Sequence, residues 1–236
     1  MDQKKGAVYA RMSREIIVAA RFGGGDPGSN FRLRQAIDRA KAEGVPNDNI
    51  QRAIEKGAGG GANDNMEELT YEGYGPGGVA VMVRCATDNR NRTAGDIRSY
   101  FSKYGGNLGE TGCVGWNFKE RGEVALDRTS GLDEDALMVA ALDAGADDLD
   151  TSSEESVLVT CEPGKLESVR DSLATSGYVV SSVELAMAPL STVEVDNGET
   201  AKQLLRLLDM LESHEDVQQV YANFDMDAKW MQEFLN

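Results

Sequence analysis

Apolar side chains recur at helical spacing through the N-terminal part of the chain, between short glycine-rich breaks. In residues 4–22 the apolar positions on one predicted helix face are Val8, Met12, Ile16, Ala19 and Ala20. The glycines of 23–25 are expected to end this helix, because glycine tolerates the positive φ of a helix terminus. Asn30 and Asn47 are expected to cap two further helices. Their inward positions are predicted to be Leu33, Ile37, Ala40, Ile50, Ala53 and Ile54.

Beyond a glycine-rich run at 57–63, which predicts a flexible linker, strand patterns alternate with helix patterns. One set of predicted elements comprises strands at 78–86, 112–118, 191–195 and 217–222 and helices at 91–104 and 199–212. A second set, lying inside the first, comprises strands at 123–127, 148–151, 156–161 and 178–186 and helices at 133–144 and 164–175. Each set follows the order β-α-β-β-α-β, which is that of a ferredoxin-like unit.

The predicted fold class is α+β, with an N-terminal three-helix domain followed by two ferredoxin-like α/β domains, one inserted in the other. The predicted domains are a basic helical domain at 1–62, a discontinuous α/β domain at 63–122 and 188–236, and an acidic inserted domain at 123–187. The linker is expected to let the helical domain move, so that limited proteolysis would cut first within 57–65.

Charge is distributed unevenly along the chain, whose net charge is −16. Residues 1–62 carry 11 basic and 7 acidic side chains, a net charge of +4. Residues 123–236 carry 6 basic and 25 acidic side chains, a net charge of −19. Such asymmetry can direct the basic end toward phosphates while the acidic remainder resists non-specific binding. The alternative is that the acidic surface only confers solubility.

The basic residues of the helical domain are the strongest electrostatic candidates for contacts with nucleic acid. Three of them, Arg11, Arg14 and Arg21, fall roughly opposite the apolar face of the first helix, so reversing them to glutamate is expected to spare folding. The full predicted set of nucleic-acid-binding residues is Lys4, Lys5, Arg11, Arg14, Arg21, Arg32, Arg34, Arg39, Lys41, Arg90 and Arg92. The alternative is that these charges form only a solvated face.

Arg90 and Arg92 belong to the segment DNRNRT, at the predicted start of a helix. Backbone N–H groups and the helix dipole favour anions at such a position, so the two arginines form a candidate phosphate site. The alternative is that they pair with Asp88 or Asp96 on a solvated turn. Thr93 and Asp96 also have the spacing of a capping box.

The sequence offers little basis for catalysis or for a bound cofactor. His214, the single histidine, is expected on the surface after a helix, and the sequence contains no nucleophile motif. Its three cysteines are far apart, which argues for a reducing compartment and against structural zinc. The glycines of 71–78 lack the Gly-Lys-Ser/Thr ending of a phosphate loop and predict a turn. We therefore expect a non-enzymatic, cytoplasmic protein with no metal, cofactor, small-molecule substrate or membrane span.

Several strings of the sequence, taken in order, closely resemble the YebC family. They are REIIVAARFGGGDP (14–27), YEGYGPGG (71–78), DNRNRT (88–93), GGNLG (105–109) followed by Gly112, LLRLLDMLE (204–212) and DVQQVY (216–221). The resemblance extends over essentially the whole chain. It implies a helical N-terminal domain and two α/β domains, one inserted in the other.

The resemblance also implies a regulator of gene expression. The family is generally described as DNA-binding transcriptional regulators. Related members, including mitochondrial ones, are described as translational activators or ribosome-associated factors that assist synthesis through proline runs. The family usually begins with a basic segment containing Gly-His-Ser-Lys-Trp, and this sequence starts after it. Because that segment would add cationic contacts, a lower affinity for nucleic acid is expected here. The alternative is that the start of the sequence is mis-assigned or truncated.

Two nucleic-acid partners are therefore compatible with the sequence: duplex DNA at promoters, and ribosomal RNA within the ribosome. Both require the basic helical domain. The acidic C-terminal half disfavours wrapping of DNA but permits docking by one end in either case. An alternative of a different class is a protein-interaction adaptor that uses the small α/β domains as docking surfaces.

Overall fold

A computed structural model describes residues 2–59 and 66–234 of the chain. Residues 60–63 of the predicted linker therefore lie outside the described residues. Within the described ranges, no helix combines the length and the apolar character that crossing a bilayer requires.

The chain divides into two compact units. The main unit contains Met1–Phe118 and Pro189–Asn236, and the inserted unit contains Lys119–Ala188. The main unit thus includes both the N-terminal helices and the first α/β part. A separate domain at 1–62 stays a prediction.

The secondary structure begins with three helices and continues as mixed helix and strand. The helices are α1 (Asp2–Gly23), α2 (Phe31–Ala42), α3 (Asn47–Ala58), α4 (Arg90–Lys103), α5 (Glu134–Ala144), α6 (Leu166–Thr175), α7 (Gly198–Glu212) and α8 (Ala228–Phe234). The strands are β1 (Glu67–Tyr74), β2 (Ala80–Thr87), β3 (Asn107–Leu108), β4 (Phe118–Asp127), β5 (Asp148–Asp150), β6 (Ser156–Cys161), β7 (Val180–Pro189), β8 (Val193–Val195), β9 (Val217–Ala222) and β10 (Phe224–Met226).

The N-terminal helices pack around one apolar cluster that also takes in Met66 and Ala86 of the α/β part. The C-terminal half of α1 is buried over five consecutive residues, which are Ile16, Ile17, Val18, Ala19 and Ala20. Asn30 caps α2 as predicted, because its side chain accepts a hydrogen bond from the Leu33 amide at 3.0 Å. Asn47, by contrast, is the first residue of α3, and the cap position is occupied by Pro46.

Gly57, where the predicted linker begins, still belongs to α3, which ends one residue later at Ala58. A Cβ atom at this position would lie 2.4 Å from the carbonyl oxygen of Ile17 in α1. The glycine therefore allows α1 and α3 to approach closely, which is a packing role that local sequence does not reveal.

The main unit contains a four-stranded sheet in the order β3-β1-β2-β9, with α4 and α7 supplying apolar residues to the same core. In a ferredoxin-like unit the first strand lies between the third and the fourth. In this sheet β2 occupies the place of the first ferredoxin-like strand, because it lies between β1 and β9. Strand β1 occupies the place of the third strand, although it precedes β2 in the chain. The predicted strand at 191–195 does not join this sheet, because β8 pairs in parallel with β10 instead.

The predicted strand at 112–118 is wrong. These residues form a turn followed by a 3-10 helix at Gly115–Asn117, and β4 begins only at Phe118. The segment is therefore a loop between β3 and β4.

The predicted capping box of Thr93 and Asp96 is also wrong. α4 begins at Arg90, and its cap residue is Asn89, whose side chain accepts a hydrogen bond from the Arg92 amide at 3.1 Å. Thr93 thus lies within the first turn of the helix, where its hydroxyl is available for other contacts.

The inserted unit forms a second four-stranded sheet in the order β5-β6-β4-β7. The first strand of this unit, β4, lies between the third and the fourth, as in a ferredoxin-like unit. Its core residues include Val124, Leu126, Leu137, Ala141, Val157, Val159, Leu166, Val169 and Leu173. Three N-terminal helices followed by two mixed units, one within the other, confirm the predicted α+β class.

Candidate nucleic-acid interface

Asp216 is a buried carboxylate that joins three parts of the main unit. It lies immediately before β9, and its side chain is 0% exposed. The guanidinium of Arg14 in α1 lies 3.1 Å from its carboxylate, and that of Arg92 in α4 lies 3.0 Å away. The hydroxyl of Thr93 donates to the same carboxylate at 2.8 Å. Asp216 therefore links α1, the start of α4 and the start of β9.

The charge state of Asp216 follows from these contacts. Burial alone would raise the pKa of its carboxyl group. Hydrogen bonds from Thr93 and Arg92, together with the positive charge of Arg14, outweigh that effect and hold the pKa below its ordinary value. The carboxylate is thus ionised at neutral pH, and it compensates the two arginines.

Two more arginines of α1 contact the α/β part of the main unit. Arg11 donates to the backbone carbonyl of Glu212 at 3.2 Å, and Arg21 donates to that of Met66 at 2.8 Å. The expectation that Arg11, Arg14 and Arg21 form an exposed stripe is therefore wrong, since all three are partly buried and hold α1 in place. Reversing all three to glutamate is now expected to disturb folding.

The basic residues of α2 are also engaged within the protein. Arg32 pairs with Glu15 at 3.0 Å and with Glu68 at 2.6 Å, so that two carboxylates surround one guanidinium. Arg39 lies 3.9 Å from Glu15. Arg34 donates to a backbone carbonyl in the loop before α2 at 2.8 Å. These contacts reduce the net positive potential that α2 presents.

The two arginines of the predicted set at the start of α4 are exposed. Arg92 pairs with Asp88 at 3.2 Å as well as with Asp216, which agrees with the alternative that it is neutralised on a turn. Arg90 is exposed, and it forms no ion pair with any residue that the structure describes. Arg90 is thus a cation at a helix N-terminus that is available to an external anion.

Among the predicted residues of the helical segment, Lys41 near the end of α2 is likewise exposed and forms no ion pair within the described ranges. The side chains of Lys4 and Lys5 lie outside the described residues. Among the predicted cations whose side chains the structure describes, Arg90 and Lys41 are therefore the exposed ones without an ion pair or a side-chain hydrogen bond.

Glu72 organises a loop that the sequence did not single out. Its side chain is buried, and its carboxylate accepts hydrogen bonds from the amides of Gly112, Val114 and Gly115 at 2.9, 2.9 and 2.6 Å. Three backbone donors compensate the buried charge, so the loop between β3 and β4 has a fixed shape.

The same loop carries Trp116, which is 69% exposed to solvent. The indole N–H donates to the Cys113 carbonyl at 3.0 Å, and the hydroxyl of Tyr74 donates to the same oxygen at 3.1 Å. With its N–H already bonded, the indole offers mainly its aromatic faces to a partner. Sequence analysis missed Trp116 because the segment 112–118 resembles a buried strand.

The histidine and the three cysteines of the chain do not form a metal-binding cluster among the residues that the structure describes. No group of three or more His, Cys, Asp or Glu residues within them could hold a metal ion. His214 is nearly buried, contrary to the prediction of a surface position, and lies 3.2 Å from Asp96. Burial raises the pKa of the Cys85 thiol to about 12, and burial also raises the pKa values of Cys113 and Cys161.

Comparison with known proteins places this architecture in one family. The model of the "TACO1/YebC protein N-terminal domain" matches residues 1–60. The model of the "TACO1/YebC second and third domain" matches residues 66–224. Together the two matches include all of the inserted unit and most of the main unit.

Similar full-length sequences and a similar solved structure agree with these matches. A "probable transcriptional regulatory protein" of Desulfitobacterium hafniense is 54% identical over 225 residues, which are 95% of this chain and 89% of the relative. One of Geobacter sulfurreducens is 48% identical, covering 99% and 93%. The crystal structure of a conserved hypothetical protein from Aquifex aeolicus superimposes with a TM-score of 0.87 at 42% identity, covering 95% of this chain and 91% of that one. This chain therefore belongs to the TACO1/YebC family.

Proposed function

We propose that the protein is a non-enzymatic, cytoplasmic regulator of gene expression that binds nucleic acid, as a DNA-binding transcriptional regulator. The observation that carries the proposal is Arg90, an exposed and uncompensated cation at the N-terminus of α4. The names of the relatives, which describe probable transcriptional regulatory proteins, support the same role.

The start of α4 has the chemistry that a phosphate group requires. Asn89 caps the helix, so the amides of the first turn and the helix dipole favour an anion at this end. Arg90 adds a full positive charge there, and the partly exposed Arg92 lies two residues further along the helix. In this proposal Arg90 contacts the phosphate, whereas Arg92 mainly fixes the helix start through Asp216.

A regulatory rather than a catalytic role is favoured by the state of the reactive side chains. The raised pKa values of the three thiols keep them protonated at neutral pH, and a protonated thiol is a poor nucleophile. The single histidine is held by Asp96 and by a backbone amide, in a structural rather than an open position.

A ribosome-associated translation factor is the second candidate, and the exposed Trp116 favours it. An aromatic ring on a rigid loop can stack on an unpaired base, and unpaired bases are abundant in structured RNA but absent from duplex DNA. Glu72 makes the loop rigid through its hydrogen bonds to backbone amides. Because the indole N–H of Trp116 is already bonded within the loop, stacking is the main interaction that this ring can make with a base. The family model that includes TACO1 is compatible with either role.

Crosslinking in cells, followed by sequencing of the bound nucleic acid, tests the proposal. Discrete promoter DNA is expected for the transcriptional role, together with sedimentation apart from ribosomes. Fragments of ribosomal RNA with co-sedimentation on ribosomes would replace it with the translational role. Recovery of neither kind of nucleic acid above the level of an uncrosslinked sample would contradict both.

A further inference from the structure

Helix α5 of the inserted unit exposes an apolar stripe. Met138, Val139 and Leu142 are 40%, 60% and 53% exposed, so three of the large hydrophobic side chains exposed in the described residues come from one helix of 11 residues. Positions 138, 139 and 142 lie on one side of a helix. The stripe thus forms a continuous surface rather than scattered single residues.

The stripe is not required for the core of the inserted unit. Leu137 and Ala141, on the other side of α5, are fully buried and supply its packing. Helix α6 of the same unit shows the usual arrangement, with Leu166, Val169 and Leu173 buried. Its exposed face is mainly polar, formed by Glu167, Ser168, Asp171, Ser172, Ala174 and Thr175. The two helices share one sheet, so an exposed apolar face on α5 alone indicates a function outside folding.

Acidic side chains lie near both ends of the stripe. Asp135 lies three and four residues before Met138 and Val139, and Asp143 lies four residues after Val139, so a carboxylate stands near each end. α5 contains no basic residue, and the inserted unit carries 16 acidic and 5 basic side chains, a net charge of −11. This face of α5 is therefore apolar along its middle, with an aspartate near each end, and it belongs to a unit of strongly negative net charge.

We propose that this face of α5, comprising Met138, Val139 and Leu142 with Asp135 and Asp143, docks a basic amphipathic helix of a protein partner. Apolar residues on such a helix would pack along the stripe, and flanking lysines or arginines would meet the two aspartates. The role is separate from nucleic-acid binding, since it uses the acidic unit and not the cations of the main unit.

The negative charge near the stripe favours a basic helix over two other partners, which are a second copy of the chain and an anionic membrane. A second copy of the chain would bring another strongly acidic face against the first, and like charges in apposition oppose association. An anionic membrane surface would repel the same carboxylates. A basic helix satisfies both the apolar middle and the aspartates near its ends.

Titration of the full-length protein with a labelled peptide tests the proposal by fluorescence anisotropy. The probe is a synthetic helical peptide of leucine and lysine whose leucines repeat at i, i+3, i+4 and i+7. The comparison peptide has the same composition with its leucines spread around the helix, which controls for non-specific attraction to an acidic protein. We expect the first peptide to bind at least about tenfold more tightly.

Variants of α5 assign the binding to the stripe. Val139→Ser with Leu142→Ser is expected to abolish the preference for the amphipathic peptide, while Ala174→Ser on the exposed face of α6 leaves it intact. Asp135→Asn with Asp143→Asn is expected to weaken binding and to reduce its dependence on salt. Unchanged unfolding midpoints would show that these surface variants fold normally.

Several results would overturn the proposal. Equal affinity for the two peptides, no binding of the amphipathic peptide, or an unchanged preference in the Val139→Ser, Leu142→Ser variant would each do so. So would dimerisation of the wild type in sedimentation that this variant abolishes, because a second copy would then cover the stripe. Binding to vesicles of phosphatidylcholine and phosphatidylglycerol that the same variant abolishes would assign the face to membranes instead.

Discussion

The guanidinium of Arg14 lies 3.1 Å from the carboxylate of Asp216, a side chain with no exposure to solvent. The contact connects the first helix of the chain to the start of β9, about 200 residues later in the sequence. Helical periodicity places Arg14 on a solvent face, but in the structure Arg14 forms an ion pair that connects α1 to the start of β9. This changes which arginines can be tested as ligands of nucleic acid and which must be tested for stability.

Replacing Arg14 by alanine is expected to lower the free energy of unfolding by about 2 to 4 kcal/mol, because removal of one partner leaves a buried carboxylate less compensated. Urea unfolding followed by circular dichroism measures the loss. Lys41→Ala is the matched control, since Lys41 is an exposed cation of the same helical segment with no ion pair among the described residues. Equal stability of the two variants would contradict a stabilising role for the Arg14–Asp216 contact.

Stability is expected to depend on pH through Asp216. Its pKa is lower in the folded protein than the value of about 4 for an unfolded chain, so its contribution is fully present above that pH. As the pH falls through the folded pKa, the group is protonated and the contribution is lost. The stability difference between wild type and Asp216→Asn should therefore shrink below about pH 4.

Urea unfolding of both proteins over the range from neutral to acidic pH, at constant ionic strength, measures that difference. Asp225→Asn serves as the control, because it makes the same change at an exposed aspartate of the same unit. A difference for Asp216→Asn that stays the same at all pH values would show that the carboxylate does not titrate with folding.

Local signals account for the elements that the sequence predicts well. Asn30 caps α2 by bonding Leu33, three residues away, and the apolar period of this helix matches its buried face. The inserted unit also follows its predicted order, because each strand and helix there carries a clear pattern of its own.

Distant contacts account for the predictions that fail. The hydroxyl of Thr93, expected in a capping box, bonds Asp216 across 123 positions of sequence. Glu72, within a string predicted as a turn, belongs to β1 and anchors a loop some 40 residues further on. The arginine stripe of α1 fails for the same reason, because a periodic pattern cannot distinguish solvent from a carboxylate or a carbonyl oxygen that another part of the chain supplies.

Replacing Glu72 by alanine is expected to release the loop that carries Trp116. Three amides would lose their acceptor, which should cost about 1 to 3 kcal/mol of stability and increase the motion of the indole. Tryptophan fluorescence anisotropy in a Trp230→Phe background detects the motion at Trp116 alone. Glu110→Ala, an exposed change in the same loop, is the control, and equal anisotropy in the two variants would argue against an anchoring role for Glu72.

Binding of nucleic acid is expected to depend on Arg90 and Lys41 but not directly on Arg14. If each of the first two contacts a phosphate, replacement by alanine should weaken binding to all sequences alike and reduce the salt slope by about 1. Arg14→Ala should lower stability and leave the salt slope unchanged at temperatures where the variant is folded. Lys165→Ala, an exposed cation in the acidic inserted unit, is the matched control for a change of one charge.

Anisotropy titrations of labelled duplex DNA and of structured RNA, each at several salt concentrations, measure both the affinities and the slopes. A duplex preferred by the wild type would favour the transcriptional role, whereas RNA binding that Trp116→Ala weakens would favour the ribosome. If Arg90→Ala and Lys41→Ala bind both probes with the wild-type slope, the start of α4 and the end of α2 are not the contact surface. The remaining predicted cations whose side chains the structure describes could then act only by leaving the carboxylates and carbonyl oxygens that they contact within the protein. Nucleic-acid binding through them would require α1, α2 or the start of α4 to give up contacts that hold it in place.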